Sequence, residues 1–165
     1  MVMKWHFSLQ LQVGDMISVQ TQDFSLADEY QHLSEGTSAG AVVTFIGKVR
    51  DFNQGDEVQG LALEHYPGMT EKALADIVKQ AKQRWSLLQV RVIHRVGYLD
   101  LGDQIVFVGV SSAHRGDAFE ACEFIMDYLK TKAPFWKKER VQNNTRWVES
   151  RDSDSLAAKR WQNND

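Results

Sequence analysis

Apolar residues recur along this chain with two different periods, and the points where the period changes divide it into elements. GAVVTFIGKVR (residues 40–50) is dense in β-branched residues, which suit a pleated, half-buried surface, and predicts a strand ending in the turn-rich DFNQGDE. VQGLALEHY (58–66) sets Leu61, Leu63 and His65 against Ala62, Glu64 and Tyr66, a period of two that predicts a second strand with one buried face. The turn between them predicts that these two strands pair as a hairpin. LQVRVIHRVG (88–97) and DQIVFVGVSS (103–112) predict two more strands across the turn YLDLG, and the almost unbroken apolar run of the second predicts a central strand covered on both faces.

The helical period appears twice at length. In TEKALADIVKQAKQRW, residues Leu74, Ile77, Val78, Ala81 and Trp85 share one face, with Thr70 predicted as N-cap and Glu71 in the first turn. Residues Ala118, Ala121, Cys122, Ile125 and Leu129 form a second stripe, for which Asp117 is the predicted cap with Glu120 three residues on. Pro134 restricts Ala133 and stops that helix near Thr131 to Ala133. SLADEYQHL (25–33) predicts a short helix capped by Ser25. Strand, strand, helix, strand, strand, helix and a polar tail make an α+β layer architecture, with the helices on one face of a mixed or antiparallel sheet.

Length then sets the number of cores. A chain of 165 residues, 43% hydrophobic and 25% charged, builds one core and is too short for two ordinary domains. No linker or low-complexity tract interrupts residues 16–161, so these form the expected single domain, with 1–15 as a loosely held N-terminal extension and 162–165 as a tail. The first twenty residues contain no long apolar run, because Gln10, Gln12, Gly14 and Asp15 break it, and nothing approaches the ~20 apolar residues of a membrane span. A lone cysteine, Cys122, excludes an internal disulfide framework and suits a reducing compartment, so a cytoplasmic protein is expected.

Charge changes the picture locally. With a formal net charge of -3 the chain as a whole does not attract nucleic acid or an anionic membrane. YLKTKAPFWKKE (128–139) nevertheless gathers Lys130, Lys132, Lys137 and Lys138 around Pro134, where Phe135 and Trp136 pin the bend. Converging ammonium groups suit a compact anion such as a phosphate ester, although each lysine taken singly is explained by the negative end of the preceding helix. SSAHRGD (111–117) adds His114 and Arg115 where a strand meets a helix N-terminus, and GKVRD (47–51) places Lys48 and Arg50 on one side of a strand end. An ordinary loop and an edge-strand charge pair explain these two equally well. No phosphate-loop or nucleophile-elbow motif occurs, and His6, His32, His65 and His94 lack metal-ligand spacing, so no metal is expected. Among nucleophiles, a desolvated lysine beside other cations is favoured, because both influences lower an ammonium pKa.

GAVVTFIGKVRDFNQGD, LEHYPGMTEKAL, VIHRVGYLDLGD, FVGVSSAHRGDAFEACEFIMDYLKTKAPFWKKE and RWVESRDSD together resemble, in order, the large catalytic subunit of molybdopterin synthase, from about residue 16 to Trp161. The resemblance implies an α/β-hammerhead fold, a homodimer of this subunit within a heterotetramer, and a small ubiquitin-like sulfur-carrier subunit docked at each end. It implies conversion of cyclic pyranopterin monophosphate to molybdopterin, the carrier's C-terminal Gly-Gly thiocarboxylate supplying the two dithiolene sulfurs, with no cofactor in the step. Motif by motif, Lys130 matches the essential lysine and Lys137 its supporting partner. His114, Arg115 and the segment Lys48, Val49, Arg50 match the substrate and phosphate pocket, bordered by Lys138 and Glu139, with Arg151 contributed by the other protomer. Cys122 and Gly116 depart from the family beside these motifs and remove no needed charge. The same basic patch also suits a non-catalytic module that binds acidic or phosphorylated protein tails. RNA binding is the weaker alternative, since aromatics and lysines interleave in one short stretch only.

Overall fold

The computed structural model of the chain describes residues 14–142 and 144–162. In chain order its elements are β1 (Met16–Gln20), α1 (Leu26–Leu33), β2 (Ala41–Lys48), β3 (Phe52–Asn53), β4 (Asp56–His65), α2 (Met69–Arg84), β5 (Gln89–Arg95), β6 (Gly97–Leu99), β7 (Gln104–Ser112), α3 (Arg115–Lys132), β8 (Phe135–Val141), β9 (Asn144–Val148) and α4 (Asp152–Lys159). They form two sheets. The first has the order β1-β5-β7-β2, with β1 parallel to β5 and the other pairs antiparallel. The second has the order β3-β4-β8-β9, with β6 also paired to β4.

The predicted hairpin of the first two strands does not form. β2 pairs along its length with β7, whereas β4 pairs with β3, β6 and β8. The turn signal in DFNQGDE belongs to a smaller hairpin, β3 to β4, whose bend is made by Gln54 (φ 53) and Gly55 (φ 88). β2 instead follows its apolar side chains onto the central strand.

β7 is covered on both faces, as its composition predicts. On one side Val106, Val108 and Val110 pack with Val90 and Val92 of β5 against Leu74, Ile77, Val78 and Ala81 of α2 and Ala121, Cys122, Ile125 and Leu129 of α3. On the other side Phe107 packs with Phe24, Leu33 and Ile93 beneath α1. Gly109 leaves the space that Leu33 fills, because a Cβ there would stand 2.4 Å from Leu33 Cδ1. Each of these buried aliphatic or aromatic side chains contributes about 1.5–3 kcal/mol by leaving water. The two long helices thus share one face, and α1 adds a cover to the other.

Two predicted caps move. Helix α2 begins at Met69 after Gly68 (φ 84), whose N–H donates to Glu71 Oε2 at 2.6 Å, so Gly68 and not Thr70 is the N-cap. Thr70 is fully buried instead, its hydroxyl donating to the carbonyls of Tyr66 (3.0 Å) and Pro134 (3.2 Å), which ties the start of α2 to the end of α3. Helix α3 begins at Arg115 with His114 as N-cap, leaving Asp117 in the first turn. Ser112 Oγ accepts from His114 N–H (3.3 Å), so the chain leaves β7 and enters the helix earlier than the Asp117 cap implied.

The predicted polar tail is structured: β8, β9 and α4 occupy it. Its pattern hid them because the inward face of β8 carries Phe135, Lys137 and Glu139, only one of which is apolar. Beyond β9, Ala158 and Trp161 return to the main core, and Trp161 Nε1 donates to Asp127 Oδ2 at 2.7 Å. At the other end Asp15 accepts from Val90 N–H (2.8 Å) and Lys82 Nζ (2.5 Å), fastening the start of β1 to β5 and α2. The rest of the expected extension, apart from Gly14, and the tail after Gln162 lie outside the described residues. Among the described residues no helix is long and apolar enough to cross a membrane.

Candidate active site

A cavity of about 420 Å³ opens between the end of α3, the exit of β2 and the inner face of the second sheet. Its position follows from the break between sheets. Val49, Leu61, Leu63 and Leu99 form a small apolar cluster there, joined to the main core through Ile105.

Lys130 enters from the last turn of α3, which Pro134 ends at Ala133 as predicted. Its side chain is half exposed and its Nζ stands 3.7 Å from Asp154 Oδ1 of α4. Lys137 enters from β8, two residues after Phe135 and two before Glu139, so all three point inward while their neighbours point away. Burial is the main cause that holds the Lys137 ammonium below the ordinary lysine pKa; Lys130, Arg151 and Arg50 push the same way, and Glu139 opposes them. Lys137 Nζ is 3.7 Å from Glu139 Oε1.

Lys48, Val49 and Arg50 arrive at the cavity together. A register shift between Gly47 and Lys48 precedes the last pair of β2, Lys48 with Gln104, and Val49 is then pinned by its N–H to the Asp103 carbonyl (2.9 Å) and its carbonyl to the Gly102 N–H (2.8 Å). With Val49 only 3% exposed, the flanking Lys48 and Arg50 are held at the cavity wall.

Glu139 is 2% exposed and is the negative centre of the site. It accepts from Asn53 Nδ2 (2.7 Å) and from Arg146 Nε and Nη2 (both 3.3 Å). Asn53 Oδ1 in turn accepts from Arg50 Nη2 (3.2 Å) and from Arg151 Nη2. Arg151 therefore lines the cavity of its own chain, where a second protomer was expected to supply it. Asn53, Arg146 and Asp154 were missed in the sequence. Asn53 reads there as one more turn residue, and only the fold shows that it is 4% exposed and joins two arginines to a carboxylate.

Four candidates do not join the cavity within one chain. His114 and Arg115 lie at the far end of α3, about 22 Å from Lys130 at 1.5 Å per residue. Lys138 alternates to the outer face of β8, where its ammonium lies 5.1 Å from the Trp147 ring centroid. Lys132 likewise turns aside, 4.0 Å from the Tyr128 ring centroid. Of the four lysines around Pro134, two converge.

The result is a cavity wall with five cations, Lys48, Arg50, Lys130, Lys137 and Arg151, against three carboxylates, Glu139, Glu149 and Asp154. Such a wall binds anions and stabilises negative charge that develops beside it. Cys122 takes no part: burial pushes its thiol up to about 12, so it is an inert core residue. Among the described residues no group of three or more His, Cys, Asp or Glu side chains is placed to hold a metal ion.

Comparison with known proteins places this architecture in a family. The family model described as MoaE protein matches residues 19–132. The molybdopterin synthase catalytic subunit of Vibrio cholerae is 66% identical over 146 residues, covering 88% of this chain and 97% of that protein. The solved molybdopterin biosynthesis MoaE protein of Burkholderia ambifaria superposes with a TM-score of 0.76 at 49% identity, covering 90% of this chain and 98% of that one. The solved molybdopterin synthase of Staphylococcus aureus superposes with a TM-score of 0.74 at 31% identity, covering 79% and 95%. Sequence match, coverage and fold agree, and this chain belongs to the MoaE protein family.

Proposed function

We propose that this chain is the catalytic subunit of a molybdopterin synthase: a sulfur-transferring enzyme of molybdenum cofactor biosynthesis that converts cyclic pyranopterin monophosphate to molybdopterin. Its partner is a small ubiquitin-like carrier whose C-terminal Gly-Gly thiocarboxylate supplies the sulfur. The relatives' shared name supports the reaction. The observation that carries the site is the convergence of Lys130 and Lys137 with Lys48, Arg50 and Arg151 on one cavity wall, because both reactants are anionic and have to meet.

In this reading the guanidinium and ammonium groups orient the pterin phosphate and draw in the thiocarboxylate, whose sulfur attacks the pterin side chain. Lys130, at the cavity mouth, stabilises the negative charge that develops as the acyl bond to the carrier is hydrolysed and the cyclic phosphate opens. Lys137, deeper in the cavity and with its ammonium pKa lowered chiefly by burial, is placed to move a proton. A second loaded carrier repeats the transfer. Glu139 and Asn53 hold Lys137, Arg50 and Arg151 apart from one another and in place. His114 and Arg115 serve this cavity only if a second copy of the chain brings its α3 N-terminus to it, which makes the expected homodimer a requirement for their role. The single buried cysteine suits a cytoplasmic location.

The test is to incubate purified protein with cyclic pyranopterin monophosphate and thiocarboxylated carrier and assay molybdopterin, with Lys130→Ala alongside. Product from the wild type and none from the variant, both folded, is expected. Carrier binding without product from either would instead make the chain a binding module.

A further inference from the structure

The cavity has a second end that the cationic chemistry does not use. Along β5 the side chains of Val90 and Val92 enter the main core, and the period of two predicts a third apolar residue at position 94. His94 stands there, 5% exposed, and lines the cavity beside Met126, Leu129 and Phe135. A polar residue in an apolar stripe has to satisfy its polar atoms or leave one for a partner.

One ring nitrogen is satisfied within the fold. Nδ1 lies 2.8 Å from the Arg95 carbonyl, which can only accept, so Nδ1 carries the hydrogen. The neutral ring then bears its lone pair on Nε2, for which no donor is found among the described residues. The ring plane is set by Phe135, stacked at 3.8 Å between centroids and 19° between planes. The tautomer and the orientation of His94 are therefore both determined by the protein.

Burial and the neighbouring His65 then lower the His94 pKa to about 4, against the opposing hydrogen bond to Arg95, so the ring is neutral at physiological pH. His94 differs in this from three other acceptors of the cavity wall. Asn53 Oδ1 is engaged by two arginines, and Glu139 and Asp154 are paired with cations. Phe135 and Lys137 are two residues apart on β8, about 7 Å, so the imidazole and the ammonium cluster face one ligand-sized space.

We propose that His94 is a specificity-determining residue whose Nε2 faces the cavity and accepts a hydrogen bond from an N–H of the ligand whose anionic end is held by Lys130 and Lys137. The inference rests on the functional reading given above. Two reactants in that reading carry such a donor: the pterin ring has N–H groups, and the Gly-Gly tail has backbone amides. Either would place an apolar or planar body against Phe135, Met126 and Leu129 while its charged end reaches the lysines.

His94→Phe keeps the stacked ring and deletes the acceptor; His94→Gln restores an acceptor near the Nε2 position. Binding of cyclic pyranopterin monophosphate and of a peptide ending in Gly-Gly is measured separately by calorimetry for the wild type and both variants, with thermal unfolding as the control for folding. Loss of one good hydrogen bond predicts that His94→Phe weakens one of the two probes about tenfold, with recovery in His94→Gln. The probe affected identifies the donor. In turnover assays the corresponding KM rises while kcat is retained, whereas a merely structural defect lowers kcat at unchanged KM. Unchanged affinity for both probes in His94→Phe, or equal losses in the Phe and Gln variants, overturns the proposal. If the wild type binds the probes but makes no molybdopterin, the catalytic reading fails and the role of His94 is still decided by the binding data.

Discussion

The two sheets use the same two-residue alternation and bury opposite things. In the first, β7 turns Val106, Val108 and Val110 into a closed apolar core with α2 and α3. In the second, β8 turns Phe135, Lys137 and Glu139 toward a cavity, so its inward face holds one aromatic and a charged pair. An apolar face needs only to be covered, since its packing is non-directional. A charged face has to be completed by partners from distant segments, and β8 draws Asn53 from β3, Arg146 from β9 and Arg151 from the loop before α4. The first sheet is a scaffold and the second is where the scaffold is opened for chemistry.

That contrast is open to direct tests, beginning with the loss of product expected for Lys130→Ala. Next in size, Glu139→Ala leaves Lys137, Arg146 and Asn53 without their shared acceptor. Chemical denaturation should show a loss of about 3 kcal/mol, with activity falling further than the folded fraction does. Activity that merely tracked the folded fraction would make the second sheet a scaffold like the first. In the first sheet's layer, Leu74→Ala removes a side chain that is 1% exposed and should cost about 2–5 kcal/mol while the surviving folded molecules keep their kcat and KM.

Acid separates the regions again, through His94, where the two meet. Its pKa is about 4 in the fold against 6.5 ordinarily, so between these values the unfolded chain binds the extra proton and the folded one does not. Stability contributed by neutral His94 is therefore complete above pH 6.5 and is lost as pH falls toward 4, by about 3 kcal/mol on the scale of 1.36 kcal/mol per pKa unit. His94→Phe should flatten that part of a thermal-unfolding series against pH; an unchanged slope would show that other groups cause it. The smallest effect is expected outside the cavity: Lys138→Ala removes a cation–π contact with the exposed Trp147, about 0.5–1 kcal/mol, and leaves product formation close to wild type. A large loss of activity would place Lys138 back in the site.

The alternation of Leu61 and Leu63, the stripes of α2 and α3, the Ser25 cap and the Pro134 stop could all be read from the chain, because each rests on neighbours a few residues apart. Lys48, Arg50, Lys130 and Lys137 could be named as candidates because they cluster near element ends, although each taken singly has an ordinary explanation there. The partnering of β2 with β7, and the strands hidden in the polar tail, were not legible. Pairing depends on which apolar faces share a core, and a strand whose inward face is charged has no apolar period to detect.

By itself, then, the sequence determined the elements with apolar periods, where α3 must stop, and which cations were available beyond that stop. Only the tertiary structure decided which of those cations converge. Strand alternation sends Lys137 inward and Lys138 outward, and the length of α3 keeps His114 and Arg115 from Lys130 within one chain. Closure of β3, β8, β9 and the start of α4 around Glu139 assembles Asn53, Arg146 and Arg151 into one network. Charge and periodicity are local properties of a chain, whereas a site is a set of directions in space, and those directions exist only once the sheets have packed.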